Sequence, residues 1–258
     1  MIATVRTCRA LAVAGMLETF RRKDLYVVLV LMGLMIAGAG AFGFFGVRGL
    51  EVFLRDVTFT AIGLFSTVLA VIVAARQIPE EVQRRTIYPL MARPISRWQI
   101  LLGKWVAASL TSILAFLLLA ATARVLLACF GVPVEAIFMQ YVLLKAVGLV
   151  WLCAMTVALS VLMTHGAAVV TSLILALGAG AFTRITLLYH GQTGAWNGLA
   201  NVVYGLLPHY DFFDLGRKVT YGWDPVPAWV LGLLAGYALL GSMIWLWLGW
   251  LRFRRAAL

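Results

Sequence analysis

YVLLKAVGLVWLCAMTVALSVLM, residues 141–163, carries one charge, Lys145, in an otherwise apolar run. A membrane's hydrocarbon core takes about 20 helical residues to cross. A helix satisfies its own backbone hydrogen bonds in lipid, and this run lacks the alternation by which barrel strands face lipid and lumen in turn. It reads as a transmembrane helix, and the chain as a helical bundle.

Outward from it, only Met163, Thr164, His165 and Gly166 separate this run from the next apolar stretch, Ala167 to Tyr189, so the two form an antiparallel hairpin. Further stretches of spanning length are Leu25 to Phe45, Val57 to Ala75, Trp105 to Ala123 and Ala228 to Trp250. The expected fold is an all-α polytopic membrane protein with six transmembrane helices, one permease-like domain over 1–258. The composition agrees: 63% of the 258 residues are hydrophobic and 12% charged, against about half and about a quarter in soluble domains.

Six spans put both termini on one side, and Lys and Arg concentrate on the cytoplasmic side. With the termini inside, Arg6, Arg9, Arg21, Arg22, Lys23, Arg76, Arg84, Arg85, Arg93, Arg97, Lys104, Arg252, Arg254 and Arg255 all face the cytoplasm, the majority of the 21 basic residues. This predicts a multi-pass protein of the bacterial inner membrane with both termini cytoplasmic. The net charge of +11 is then membrane anchoring at helix ends rather than nucleic-acid binding. Trp98, Trp105, Trp245, Trp247 and Trp250 fall near the inner boundary, and Trp196, Trp223 and Trp229 near the outer one.

Residues 1–23 read as an interfacial helix with Ile2, Val5, Val13, Met16 and Phe20 near one face, although Arg9 interrupts it. The run Leu11 to Leu17 is too short, and too soon followed by charge, for a signal peptide, so the N-terminus is expected to be retained. Cys8, Cys129 and Cys153 have no ligand spacing. The last external connection, 190–227, is too apolar for a floppy linker. Its stretch Leu199 to Leu207 reads as a re-entrant or surface helix stopped by Pro208.

The cytoplasmic loop 76–104 lies within ARQIPEEVQRRTIYPLMARPISRWQILLGKW, residues 75–105. Pro79 breaks the second span and suits the first turn of a new helix over about 80–88. Glu80 and Glu81 complement that helix's positive end, with Arg84 and Arg85 one turn on. Pro89 and Arg93-Pro94 stop it, and Ser96-Arg97-Trp98-Gln99 has the form of a capping box that opens the third span. Such a foot suits docking on a cytosolic partner; it is also what an ordinary charged loop looks like.

This loop, from the paired glutamates through R-R-T-I-Y-P-L-M-A-R-P-I-S-R-W to Gly103-Lys104, resembles the first cytoplasmic loop of the ABC-2 type permeases. The likeness extends more loosely to the basic N-terminal segment, the six spans and the external Pro followed by Asp211 and Asp214. It implies the transmembrane subunit of an ABC transporter whose loop is a coupling helix against a cytosolic ATPase, with contact roles for Glu80, Glu81, Arg84, Arg85, Thr86, Tyr88, Arg93, Ser96 and Arg97. It further implies a second permease chain, identical or paralogous, and an external lid containing Leu206, Pro208, Asp211 and Asp214. ATP and magnesium would sit on the partner: the chain's Gly103-Lys104 is followed by Trp105, not by the hydroxyl of a phosphate-binding loop. No enzymatic role or cofactor of its own is expected, since His165, His190 and His209 are scattered and no span carries an acidic pair.

Charges within spans point to transport paths. Arg124 and Lys145 are placed to snorkel to external headgroups; Arg184, deeper, is the candidate cargo contact. Gly178 and Gly180 read as close helix-packing sites. The scarcity of buried charge favours a lipid-like or amphipathic cargo, and the family favours export. The competing readings are an ABC-type mechanotransmitter acting on a periplasmic partner, and a membrane enzyme or anchor without an ATPase.

Overall fold

The computed structural model describes residues 24–41, 50–83, 96–133, 137–189, 198, 202 and 208–254. Among them the regular structure is helical: α1 (Asp24–Ala41), α2 (Leu50–Arg76), α3 (Pro79–Gln83), α4 (Arg97–Cys129), α5 (Ile137–Leu162), α6 (His165–Tyr189), a 3-10 turn (Tyr210–Phe213), α7 (Gly216–Thr220) and α8 (Ala228–Phe253). Five of these, α2, α4, α5, α6 and α8, are long and apolar enough to cross a membrane. The expected first span is shorter: α1 has 18 residues, with its apolar stretch over Tyr26–Gly38. The expected interfacial helix lies outside the described residues, as do 84–95 of the loop and all of 199–207 except Val202.

Helix α4 is longer than its apolar run alone suggests, because capping decides its start. Ser96 adopts extended backbone and accepts from the Gln99 amide, while the Gln99 side chain accepts from the Ser96 amide. This capping box starts α4 where the sequence places it, eight residues before the apolar run that begins at Trp105. Its 33 residues rise about 50 Å, well beyond a core of about 30 Å. Arg124 lies inside this helix, exposed near its end. Ser96→Ala is expected to cost about 1 kcal/mol and to fray the first turn of α4, read as faster amide exchange at residues 97–100.

At the same end, α2 stops at Arg76 and Pro79 opens α3, as proline's missing N–H and fixed φ favour. The α5–α6 hairpin turns on Met163 and Thr164 alone, and the His165 ring meets the Ala75 carbonyl at 3.2 Å, tying this turn to the last turn of α2. Arg97 donates to the carbonyls of Phe253 (2.9 Å) and Arg254 (3.2 Å), and Trp98 stands edge-on to Trp250. The α8 C-terminus is thus fastened to the α4 N-terminus.

Helix α5 is the axis of the bundle: every residue from Trp151 to Ser160 is buried, as for a helix enclosed on all sides. Its most extensive partner is α8. Gly249 allows that approach, since a Cβ there would stand 3.1 Å from Ala158 Cα, and Gly241 leaves room for the Trp151 indole. The glycines expected to do this, Gly178 and Gly180, do not: a Cβ at 178 would meet only Phe182 of its own helix, and nothing lies within 4 Å at 180. Both sit on α6, whose apolar side chains Val170, Ile174 and Leu177 are exposed.

Candidate functional site: an inserted segment held by a half-buried ion pair

The bundle has a near end, carrying the 77–96 connection, and a far end, carrying the segment 208–227. That segment does not lie across the far end; it enters the bundle. Asp214 pairs with Lys145 at 2.9 Å. Lys145 lies eight residues into α5, about 12 Å along it at 1.5 Å per residue. Gly63, at the middle of α2, lies against the same pair: a Cβ there would be 3.2 Å from Asp214 Oδ2 and 3.8 Å from Lys145 Nζ. Tyr210 stacks on Trp151, at mid-length of α5, with rings 6.2 Å apart and 9° from parallel.

Each turn of the segment has a partner. The Phe213 ring is fully buried against Gly148, Trp151 and Tyr237. Lys145, Gly148 and Trp151 recur every three residues on α5, so one strip of that helix offers the cation, a gap and an aromatic plate. Tyr210 and Thr67 hydroxyls meet at 3.3 Å, with Thr67 itself bonded to the Gly63 carbonyl at 2.7 Å. From α6, Thr183 donates to Asp211 at 2.8 Å. The Gln140 amide both donates to the Val226 carbonyl (3.0 Å) and accepts from its N–H (2.8 Å). From α8, the Tyr237 hydroxyl accepts from the His209 amide at 3.4 Å. Gly222, at φ 61°, lets the chain turn back after α7.

The two partners of the ion pair have unlike surroundings. The Lys145 side chain is 2% exposed and that of Asp214 is 40% exposed. Asp214 is further held by the Gly216 amide on Oδ1 at 2.9 Å, and Lys145 Nζ lies 5.0 Å over the Tyr210 ring. The expected snorkelling of Lys145 is therefore overturned. Its ammonium faces inward because an anion from 69 residues downstream comes to meet it, and an isolated cation in that position would be costly.

Of the residues named for the external lid, Asp211 and Asp214 are both gripped by spanning helices, Pro208 begins the described part of the segment, and Leu206 lies outside it. Arg184 is exposed on α6. Of the loop residues, Glu80 and Glu81 are on α3, Ser96 caps α4 and Arg97 is engaged with α8. Arg84, Arg85, Thr86, Tyr88 and Arg93 lie outside the described residues. Sequence reasoning singled out Lys145 but turned it toward the headgroups, and it missed Gly148. The available signal was a lone lysine in a span without a local counter-ion and an aspartate in an apolar connection.

No curated protein matches the sequence. The signature of the family described as ABC-2 family transporter protein matches residues 10–191, which include the near-end connection, Gly63, Lys145, Gly148, Trp151 and Thr183 and stop short of the inserted segment. Spanning most of the chain, that match on a multi-pass helical bundle shows that the protein belongs to the ABC-2 family of transporter proteins.

Proposed function

We propose that this permease subunit is an exporter of a lipid-like or amphipathic cargo, driven by a separate cytosolic ATPase that carries ATP and magnesium. The near end is cytoplasmic and the far end external, in a bacterial inner membrane, and a second permease chain, identical or paralogous, completes the path. The observation that carries this reading is the contrast between the ends. At the far end the bundle is closed by a segment held through side chains, whereas the near end presents a proline-started helix and a capped one flanking the loop. A closed external gate and a braced internal foot are what an ATP-driven gate needs, provided each ATPase state favours a different foot position.

Contact with the ATPase falls in this reading to Glu80, Glu81, Arg84, Arg85, Thr86, Tyr88, Arg93 and Ser96. Arg97 acts by holding α8 to α4, so its reversal would disturb the fold as well as docking. The test is co-purification of the ATPase with the tagged permease from native membranes. Glu81→Lys is expected to lose the ATPase while the permease stays monodisperse; full retention would remove the docking assignment. Absence of any ATPase from the wild-type preparation would remove the powered-permease reading. A mechanotransmitter is the second reading, supported by Tyr221 and Trp223, stacked and exposed at the far end. It predicts ATPase stimulation by a periplasmic protein with no cargo added.

A further inference from the structure

The Lys145–Asp214 pair differs from an ordinary structural ion pair in the origin and accessibility of its anion. The cation belongs to the central helix and is buried; the anion belongs to a segment outside the spans and keeps a 40% exposed side chain. The bundle wall beside the pair is bare α2 backbone, because residue 63 is glycine and a Cβ there would crowd the Asp214 carboxylate at 3.2 Å. One turn from Lys145 on the same face of α5, Tyr141 is fully buried, its ring neighbouring Gly216, and its hydroxyl makes no hydrogen bond. A buried phenol without a partner is a donor waiting for an acceptor. A buried cation, a wall of glycine backbone, a partnerless buried phenol one turn away and a part-exposed carboxylate together make an anion seat.

We infer that Lys145 is the recognition point for an anionic group on the cargo, and that Asp214 occupies this seat in its absence. The ligand chemistry is a single phosphodiester, phosphate or carboxylate, with Lys145 as counter-ion and Tyr141 as donor. Arrival of such a group displaces Asp214 and with it the inserted segment, so that binding and opening are one exchange of anions. This rests on the permease reading for its purpose, but seat and exchange are properties of this chain alone and are measurable without an ATPase.

The measurement is thermal unfolding of the purified permease in nanodiscs of phosphatidylcholine, with phosphatidylglycerol titrated in one arm and inorganic phosphate added to pure phosphatidylcholine discs in another. Wild type is expected to gain stability with the anion. Asp214→Asn vacates the seat and is expected to reach half of its gain at an anion level about tenfold lower, as follows if Asp214 holds the seat about nine-tenths of the time. Lys145→Gln and Lys145→Gln/Asp214→Asn are expected to show no anion-dependent gain. A response in the phosphatidylglycerol arm alone assigns a lipid headgroup, and a response to phosphate a soluble anion; either supports the seat. Lys145→Gln retaining the wild-type response overturns it, as does Asp214→Asn responding at unchanged or higher anion levels. If Asp214→Asn fails to accumulate, the Lys145→Gln comparison decides alone. ATPase stimulation in the reconstituted complex is read separately. Its absence alongside an intact anion shift would count against the powered-permease reading and leave the seat standing.

Discussion

Asp214→Ala is expected to destabilise the protein by about 3–5 kcal/mol, while Lys145→Met costs about 1 kcal/mol or less. The inequality follows from which partner is left behind. Removing Asp214 strands an ammonium that is 2% exposed, whereas removing Lys145 leaves a carboxylate that is 40% exposed and still bonded to the Gly216 amide. Methionine retains most of the lysine stem's packing beneath Tyr210. The double variant Lys145→Met/Asp214→Ala should fall near Lys145→Met alone, because the buried charge is gone. A built-in reporter is at hand: Cys153 is fully buried, bonded to Ser112 at 3.4 Å, and becomes reactive to thiol reagents only on unfolding. With Cys8 and Cys129 replaced by serine, the labelling temperature of Cys153 gives the order. Equal losses for the two single variants would show that the pair is solvated from both sides.

The polytopic helical architecture is legible in the sequence because long apolar runs admit few other solutions in lipid. The start of α4 is legible too, since Ser96 and Gln99 are a local signal that needs no tertiary partner. What could not be read is the path of the segment after Pro208. Its aromatic residues suit a surface-lying lid as well as an insertion, and the choice is made by Gly148, Gly63 and Lys145, which are 60 or more residues away in sequence. Span boundaries set by hydropathy place Lys145 only four residues inside an edge at Tyr141, and so within reach of the headgroups. The helix starts at Ile137 and its neighbours run further out, which puts the lysine deeper than hydropathy implies. Arg97 shows a related limit: its place in a motif points to a partner protein, while the carbonyls of Phe253 and Arg254 already occupy its guanidinium.

Glycines make the same point with a larger expected effect. Gly148 and Gly180 both lie within apolar helices, and nothing local distinguishes them. At 180 a Cβ would have nothing within 4 Å, so Gly180→Ala should be neutral or stabilising by up to about 1 kcal/mol through helix propensity. At 148 a Cβ would stand 2.6 Å from Phe213 Cβ and 2.8 Å from its Cγ. Those atoms are the root of the side chain, so no rotamer relieves the clash and the Phe213 backbone must move. Gly148→Ala is therefore expected to cost about 1–3 kcal/mol as overpacking, and Gly148→Val more. The loss should be local first, because Phe213 adjoins Asp214 and displacing one lengthens the Lys145 ion pair. A cysteine at Leu215, 8% exposed in the closed structure, reports this directly. In Gly148→Ala its modification by a membrane-impermeant thiol reagent should rise about tenfold, a shift of about 1.4 kcal/mol in the open population, while Gly180→Ala leaves it unchanged. Equal modification in the two backgrounds would mean that Phe213 does not fasten the segment. A rise confined to Gly148→Ala would place the closing contact of the far end on one missing methyl group of the central helix.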